Sequence, residues 1–226
     1  REFARFSADH GVRFPQGHLW LRADIVHPDM QEREKTMDVL ERSCVLFDAL
    51  GITAAVLHAG GGGLREQGRS PEEIFGQQVT SLERILTFVK GTGTAICLEN
   101  GRSGLKPLAS LIEALGSDQL AVCLDTGHLN LGDGDQVAFV RAAGPKLRAL
   151  HIADNRGERD DHLFPYGGRC TARWEGFVDA LHDVGFEGLW NYEVPGESMQ
   201  CPMELRLLKL DYGMALANSM LGQAAP

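Results

Sequence analysis

The segment Leu120-Ala121-Val122-Cys123-Leu124-Asp125 is an unbroken apolar run that ends in a carboxylate. Continuous apolar runs of this length are typical of parallel strands that are covered on both faces. The same pattern recurs before and after this segment, and it predicts strands at residues 17–21, 52–58, 94–99, 120–125, 147–152 and 188–193.

Helical patterns separate these strands. Met37, Leu40, Cys44 and Phe47 recur at three- and four-residue steps, which predicts one apolar stripe on a helix. Ser70-Pro71-Glu72-Glu73 combines an N-cap, a proline in the first turn and a reciprocal glutamate, so a second helix begins there. Weaker patterns predict further helices at residues 106–115, 136–143, 174–184 and 202–221.

Alternating strands and helices predict an α/β protein of the (β/α)8 barrel type, with a single domain over residues 1–226. A closed barrel needs eight strands, and residues 2–10 resemble the end of a helix. We therefore expect that the first β–α unit is absent from this chain, or that a terminal segment completes the sheet.

Composition narrows the functional classes. A formal net charge of −9 and the lack of a basic run disfavour nucleic-acid binding. No apolar run approaches the roughly 20 residues that cross a bilayer, and the first residues do not resemble a secretory signal. The five cysteines form no CxxC pair. We expect a cytoplasmic protein without a membrane partner or a thiolate metal site.

Titratable residues end five of the predicted strands. Asp125 on its own predicts only the cap of the next helix, and a histidine in such a place predicts only a hydrogen-bonded surface residue. In parallel β/α folds, however, the carboxyl ends of the strands meet at one edge of the sheet. Carboxylates that converge there repel one another unless a cation neutralises them, so the pattern predicts a metal. The five residues are His58, Glu99, Asp125, His151 and Glu193.

Three further motifs resemble one known family. They are Leu124-Asp125-Thr126-Gly127-His128, His151-Ile152-Ala153-Asp154-Asn155 and Asp160-Asp161-His162. The chain resembles the xylose-isomerase-like barrels, which include sugar and sugar-phosphate isomerases and epimerases and the endonuclease IV group. The resemblance implies that Glu99, Asp125, His151 and Glu193 bind one divalent metal (Mn²⁺, Mg²⁺, Co²⁺ or Zn²⁺), with Glu99 and Glu193 as catalytic acid and base.

The resemblance also implies a group of substrate-binding residues. Relatives often carry a proline-glycine-acid-glycine loop after the Asp-Asp-His motif, whereas this chain has Pro165-Tyr166-Gly167-Gly168. The run of four glycines at residues 60–63 is not followed by Gly-Lys-Ser/Thr, so we interpret it as a flexible loop and not as a phosphate loop. The substrate-binding candidates are His18, His58, His128, Arg156, Asp160 and His162.

These features lead to a hypothesis about activity. We expect isomerisation or epimerisation next to the carbonyl of a sugar or sugar phosphate, through proton transfer and a metal-stabilised enediolate. One alternative is an endonuclease IV-like phosphodiesterase with up to three Zn²⁺ ions, because every matching ligand position is occupied. A second alternative is an inactive barrel that serves as a binding subunit. The enzyme could also form a homo-oligomer.

Overall fold

The computed structural model describes residues 2–132, 134–198 and 200–222. Five strands alternate with helices, and the strands follow chain order in the sheet. They are β1 (Gln16–His18), β2 (Ala54–His58), β3 (Ala95–Glu99), β4 (Leu120–Asp125) and β5 (Leu147–His151). The helices are α1 (Glu2–Asp9), α2 (Met30–Leu50), α3 (Gly62–Glu66), α4 (Pro71–Val89), α5 (Lys106–Leu115), α6 (Thr126–Asn130), α7 (Gln136–Ala143), α8 (Phe177–Asp183), α9 (Pro195–Ser198) and α10 (Met203–Met220).

The chain divides into two compact units. Unit 1 comprises Arg1–Glu99 and Lys106–Cys123, and unit 2 comprises Asn100–Leu105 and Leu124–Pro226. Each unit has buried apolar residues of its own. No helix in the described part of the chain combines the length and the apolarity that a membrane crossing requires.

Unit 1 contains a parallel sheet with helices packed against it. β1 pairs with β2, β2 with β3, and β3 with the first residues of β4, all in parallel. In this register His58 lies opposite Glu99, so the ends of β2 and β3 are aligned. Buried side chains of α2 and α4, including Leu40, Leu82 and Ile85, form the core beneath the strands.

Unit 2 packs α7 and α8 around aromatic side chains. Phe177 is fully buried, and its ring lies edge-on to Trp174 and Trp190 at centroid distances of 5.6 and 6.1 Å. α8 begins later than the predicted residue 174, because Gly176 adopts a left-handed conformation (φ 71°) at its N-cap. A left-handed residue interrupts the helix that the apolar pattern alone predicts.

The predicted strand at residues 188–193 is reduced to a single parallel bridge between Ile152 and Tyr192. The Ile152 N–H donates to Asn191 O at 2.7 Å, and the Glu193 N–H donates to Ile152 O at 3.1 Å. Within the described residues no second partner extends this ladder. The prediction of a full sixth strand was therefore wrong, although the backbone of this segment runs as the prediction requires.

The glycine run at residues 60–63 was predicted as a flexible loop, and this was wrong for its second half. Gly62 and Gly63 begin helix α3. Gly60 and Gly61 have positive φ angles of 70° and 103°, and a Cβ on Gly61 would lie 2.8 Å from Ile74 Cγ2. These two glycines allow a close turn that only glycine adopts without strain.

Candidate functional site

Asp125, His151 and Glu193 come together in unit 2, as the pattern of strand ends predicts. His151 Nδ1 lies 2.7 Å from Glu193 Oε2 and 4.0 Å from Asp125 Oδ2. One ligand atom from each of the three residues lies within 4.8 Å of the others. The side chains of Asp125 and His151 are buried, whereas that of Glu193 is 28% exposed. Of these three side chains, that of Glu193 is thus the most accessible to solvent or to a substrate.

Asp125 also caps the helix that follows it. Its Oδ1 accepts a hydrogen bond from the His128 N–H at 2.6 Å, which marks the start of α6. This bond occupies one carboxylate oxygen and orients the group. The other oxygen, Oδ2, faces His151 Nδ1.

Asn100 holds the backbone of Asp125 in place, and the sequence reasoning missed it. Its Oδ1 accepts from the Asp125 N–H at 2.8 Å, and its Nδ2 donates to Asp125 O at 3.0 Å. Asn100 is buried and directly follows Glu99 in the chain. The only signal in the sequence was an asparagine immediately after a strand-ending glutamate.

Thr126 and Asp154 fix the neighbouring backbone in the same way. Thr126 Oγ1 donates to Ala153 O at 2.6 Å and accepts from the Ala153 N–H at 3.0 Å. Asp154 accepts from the Trp174 indole N–H at 2.9 Å and from the Ala172 N–H at 3.0 Å. These bonds order the segment after His151, and a buried network of this kind keeps ligands in a single rotamer.

Asp160 lies between two of the predicted substrate-binding histidines. Its Oδ2 is 3.1 Å from His128 Nε2 and 2.9 Å from His162 Nε2. His162 Nδ1 faces the carbonyl oxygen of Glu193 at 3.0 Å, and a carbonyl can only accept, so Nδ1 carries a proton. The structure therefore groups His128, Asp160 and His162.

Charge coupling changes the pKa values in this group. The hydrogen bond to the Asp160 carboxylate raises the pKa of His162 to about 9, against the opposing effect of burial. Burial acts to raise the pKa of Asp160, but hydrogen bonds from His128 and His162 outweigh it and hold that pKa well below its usual range. At neutral pH, Asp160 is a carboxylate and His162 an imidazolium ion.

Unit 1 brings together His18, His58 and Glu99. The Nε2 atoms of His18 and His58 lie 3.2 and 3.1 Å from Glu99 Oε2. His18 Nδ1 faces Leu19 O at 2.6 Å, so that nitrogen carries the proton. Metal-binding histidines commonly donate their outer nitrogen to a carbonyl in this way. The Glu99 side chain is almost fully buried.

Arg156 forms an ion pair with Asp161, which belongs to none of the groups described above. Its Nη1 is 3.5 Å from Asp161 Oδ2, and 47% of the side chain is exposed. An exposed pair of this kind contributes little stability. Its predicted role in binding a substrate oxygen or phosphate stays a prediction.

The donor atoms of unit 2 fit a divalent cation. Two carboxylates and one imidazole form an oxygen-rich set that suits Mn²⁺, Mg²⁺ or Co²⁺ and also accepts Zn²⁺. Asp125 is fully buried, and a buried carboxylate beside a second one needs a positive charge nearby. No cysteine takes part in the ligand groups found among the described residues.

Comparison with known proteins agrees with this geometry. A model of the family described as xylose isomerase-like TIM barrel matches residues 1–212. The chain belongs to the xylose isomerase-like TIM barrel family. The predicted fold class is thereby confirmed.

Three proteins of related sequence carry different descriptions. An "Uncharacterized protein y4fM" from Sinorhizobium fredii is 29% identical over 177 residues, covering 75% of this chain and 55% of that protein. A "Probable endonuclease 4" from Nitratidesulfovibrio vulgaris is 35% identical over 122 residues, covering 49% and 41%. A "Ketose 3-epimerase" from Arthrobacter globiformis is 27% identical over 129 residues, covering 57% and 40%. The chain spans about half the length, or less, of these curated relatives.

Solved structures of the xylose isomerase-like fold are also similar to the chain. The structure of an L-ribulose 3-epimerase superposes with a TM-score of 0.78 at 20% identity, covering 98% of this chain and 79% of the other. At this identity the likeness demonstrates the fold.

Proposed function

We propose that the chain is a divalent-metal-dependent sugar epimerase or isomerase whose metal is held by Glu99, Asp125, His151 and Glu193. The observation that carries the proposal is the approach of His151 Nδ1 to Glu193 Oε2 (2.7 Å) and Asp125 Oδ2 (4.0 Å). Asp125 and His151 end β4 and β5, and Glu193 follows the bridge at Tyr192; the grouping of their ligand atoms within 4.8 Å is difficult to explain by stability alone.

Chain connectivity supports Glu99 as the fourth ligand. Glu99 pairs with Cys123 in the β3–β4 ladder, and Asp125 follows Cys123 by two residues on the same strand. Glu99 directly precedes Asn100 in the chain. The Asn100 side chain makes two hydrogen bonds with the Asp125 backbone. The same set of four residues is implied by the family resemblance.

The two glutamates differ in their surroundings, and this suggests how they act. The Glu193 side chain is 28% exposed, whereas that of Glu99 is 1% exposed. We assign to Glu193 or Glu99 the removal of the proton on the carbon next to the substrate carbonyl, and to the other the return of a proton. A bound divalent cation supplies charge stabilisation for the substrate oxygen that becomes negative.

The substrate in this proposal is a ketose. One relative of similar sequence is described as a ketose 3-epimerase, and the fold is similar to that of an L-ribulose 3-epimerase. We assign hydrogen bonds with the sugar hydroxyls to the predicted substrate-binding residues His18, His58, His128, Asp160 and His162. Removal of the C3 proton and its return to the opposite face of C3 gives an epimer. Removal of a C1 proton, its return to C2 and the transfer of a proton from the C1 oxygen to the C2 oxygen give an aldose.

Proton exchange tests this proposal directly. Ketoses such as D-fructose, D-tagatose and L-ribulose are incubated with the protein and Mn²⁺ in D₂O, and deuterium at carbon is followed by NMR. We expect exchange with at least one ketose, and its loss by roughly a hundredfold or more in Glu193→Gln. The exposed Glu187→Gln provides a matched control that retains exchange. Absence of carbon-bound deuterium with every ketose would reject the mechanism.

A second function, a phosphodiesterase of the endonuclease IV kind, is favoured by one observation. The two further groups, His18-His58-Glu99 and His128-Asp160-His162, offer additional imidazole and carboxylate ligands. The 35% identical relative carries a nuclease description. Elemental analysis of protein purified without chelators separates the two functions, because one bound ion per chain supports the sugar enzyme and three support the nuclease.

A further inference from the structure

A cationic groove lies in unit 1 outside the ligand groups described above. It is lined by Arg65, Arg69 and Lys106 together with Ile74, Phe75 and Pro107, and it has a volume of about 790 Å³. This volume falls within the range of roughly 300–1,000 Å³ that is usual for small-molecule sites. The groove is therefore large enough for a phosphorylated sugar.

The charge of the groove contrasts with that of the chain. The whole protein carries a formal charge of −9, but the groove has three cations and one carboxylate, Glu72. Arg69 Nη1 forms an exposed ion pair with Glu73 Oε1 at 3.4 Å. Arg65 and Lys106 have no ion pair with any described residue. A positively charged groove in a protein of negative net charge attracts anions to that place on the surface.

Arg65 and Lys106 both line the groove, the first from α3 and the second from the start of α5. A Cβ on Gly61 would lie 3.6 Å from an Arg65 guanidinium nitrogen, so Arg65 lies over this glycine and close to the end of β2. Lys106 is the first residue of α5, whose first turn contains no acidic residue. The positive end of a helix dipole adds to the attraction of these side chains for an anion.

The groove also lies at the edge of the sheet that carries the candidate chemistry. α3 begins four residues after His58, and α5 begins seven residues after Glu99. Helices that follow parallel strands begin at the carboxyl end of the sheet, where active sites form. Ile74, Phe75 and Pro107 give the groove an apolar wall suited to the carbon skeleton of a small ligand.

We propose that this groove binds the phosphate group of a phosphorylated small molecule. Guanidinium groups bind phosphate oxygens through paired hydrogen bonds, and a lysine adds a compact positive charge. The phosphate belongs either to the sugar that reacts or to a separate ligand. The first of these two sources rests on the proposed function, whereas phosphate binding itself does not.

Equilibrium dialysis and titration calorimetry test the proposal with the full chain. The probes are inorganic phosphate, D-fructose 6-phosphate and D-fructose, and the variant is R65Q/K106Q. The control R42Q/K90Q removes the same charge at two exposed positions outside the groove. We expect the dissociation constant for both phosphates to rise by roughly tenfold or more in R65Q/K106Q and to change little in the control.

Further measurements separate the possible outcomes. Binding of phosphate to the unmodified protein should weaken as NaCl is added, a result that does not depend on how the variants fold. A rise in KM for a phosphorylated sugar with kcat little changed assigns the phosphate to the substrate, and lost binding with unchanged KM assigns it to a separate ligand. Equal phosphate affinity in R65Q/K106Q and the unmodified protein overturns the proposal. Binding of duplex DNA without binding of either small phosphate also overturns it.

Discussion

Replacement of Asn100 by alanine should destabilise the protein far more than a change of one asparagine usually does. The Asn100 side chain makes two hydrogen bonds with the backbone of Asp125, at 2.8 and 3.0 Å, and one with Gly101 O at 3.3 Å. Asn100 is 1% exposed, so water cannot readily replace these partners. Removal of the amide leaves the Asp125 N–H and C=O buried without their bonds.

The expected loss follows from the number of orphaned groups. An unsatisfied buried polar group costs about 1–3 kcal/mol, and two such groups after relaxation give about 3 kcal/mol. For a chain of this size that free energy corresponds to a fall in Tm of roughly 6–12 °C. Calorimetry and urea unfolding measure this change, and Asn218→Ala, on the partly exposed surface of α10, serves as the matched control.

Asn100→Asp refines the test because it keeps the shape of the side chain. One carboxylate oxygen still accepts from the Asp125 N–H, but the other faces the carbonyl oxygen that formerly accepted a bond. Two acceptors then repel each other in a buried place, so the aspartate variant should be no more stable than the alanine variant. A loss below about 0.5 kcal/mol for Asn100→Ala, or an aspartate variant as stable as the unmodified protein, would refute this reasoning.

Two further predictions concern a charged pair and a glycine. Asp160→Asn in chelator-treated protein should lower the free energy of unfolding by about 2 kcal/mol near pH 6 and by less at pH 9.5; urea unfolding at both values checks this. The loss is larger at pH 6 because the raised pKa of His162 stabilises the folded protein fully below the unfolded pKa, and this stabilisation is lost as the pH rises through about 9. The lowered pKa of Asp160 gives a stabilisation that is lost only in acid. Gly61→Ala should lose about 2 kcal/mol or more, because φ is 103° and the new Cβ would lie 2.8 Å from Ile74 Cγ2. Gly116→Ala has a φ of 56° in open space and should lose about 1 kcal/mol, so equal losses in the two variants would contradict the steric part of the argument.

Much of the fold was predictable because short sequence patterns, such as helix caps and apolar spacing, determine where helices begin and end. The capping box at Ser70 and Glu73 is present, and α4 begins at Pro71 as predicted. α5 and α7 match their predicted ranges. β1 is shorter than its apolar run, because the Ala23 N–H donates to Trp20 O and the chain turns there. Apolar pattern predicts burial, but it does not show where a turn takes the chain out of the sheet.

The polar network behind the ligands was not predictable in the same way. Asn100 and Thr126 hydrogen-bond the backbone of Asp125 and Ala153. Every residue has the same backbone groups, so the sequence does not indicate which of them will be a partner. The Asp154–Trp174 hydrogen bond joins residues 20 positions apart, across a loop without a periodic pattern. Side-chain types predicted that Asp125, His151 and Glu193 would lie together, whereas the hydrogen bonds that support them depend on tertiary contacts.

Tyr166 shows where a departure from the family pattern has a physical consequence. The family resemblance implies a glycine at this position of the loop, and the φ of Tyr166 is 62°. A non-glycine residue in this region is strained by about 1 kcal/mol or more unless contacts compensate for it. The Tyr166 ring lies 6.4 Å from the Trp174 ring, and 63% of the residue is exposed. The loop after His162 therefore holds a non-glycine residue in a backbone conformation that favours glycine.

Helix capping by Asp125 is compatible with the ligand role that we propose for it. The sequence presented helix capping as the ordinary interpretation of an aspartate after a strand, and metal binding as the alternative. In the structure, Asp125 Oδ1 accepts a hydrogen bond from the His128 N–H at 2.6 Å, and Oδ2 faces His151 Nδ1. A carboxylate bound at one oxygen by a helix N-terminus has little rotational freedom, so its second oxygen is already oriented for a cation. In the proposed metal site, capping would preorganise the ligand, so Asp125→Asn, which retains the cap, should lose metal affinity without losing α6.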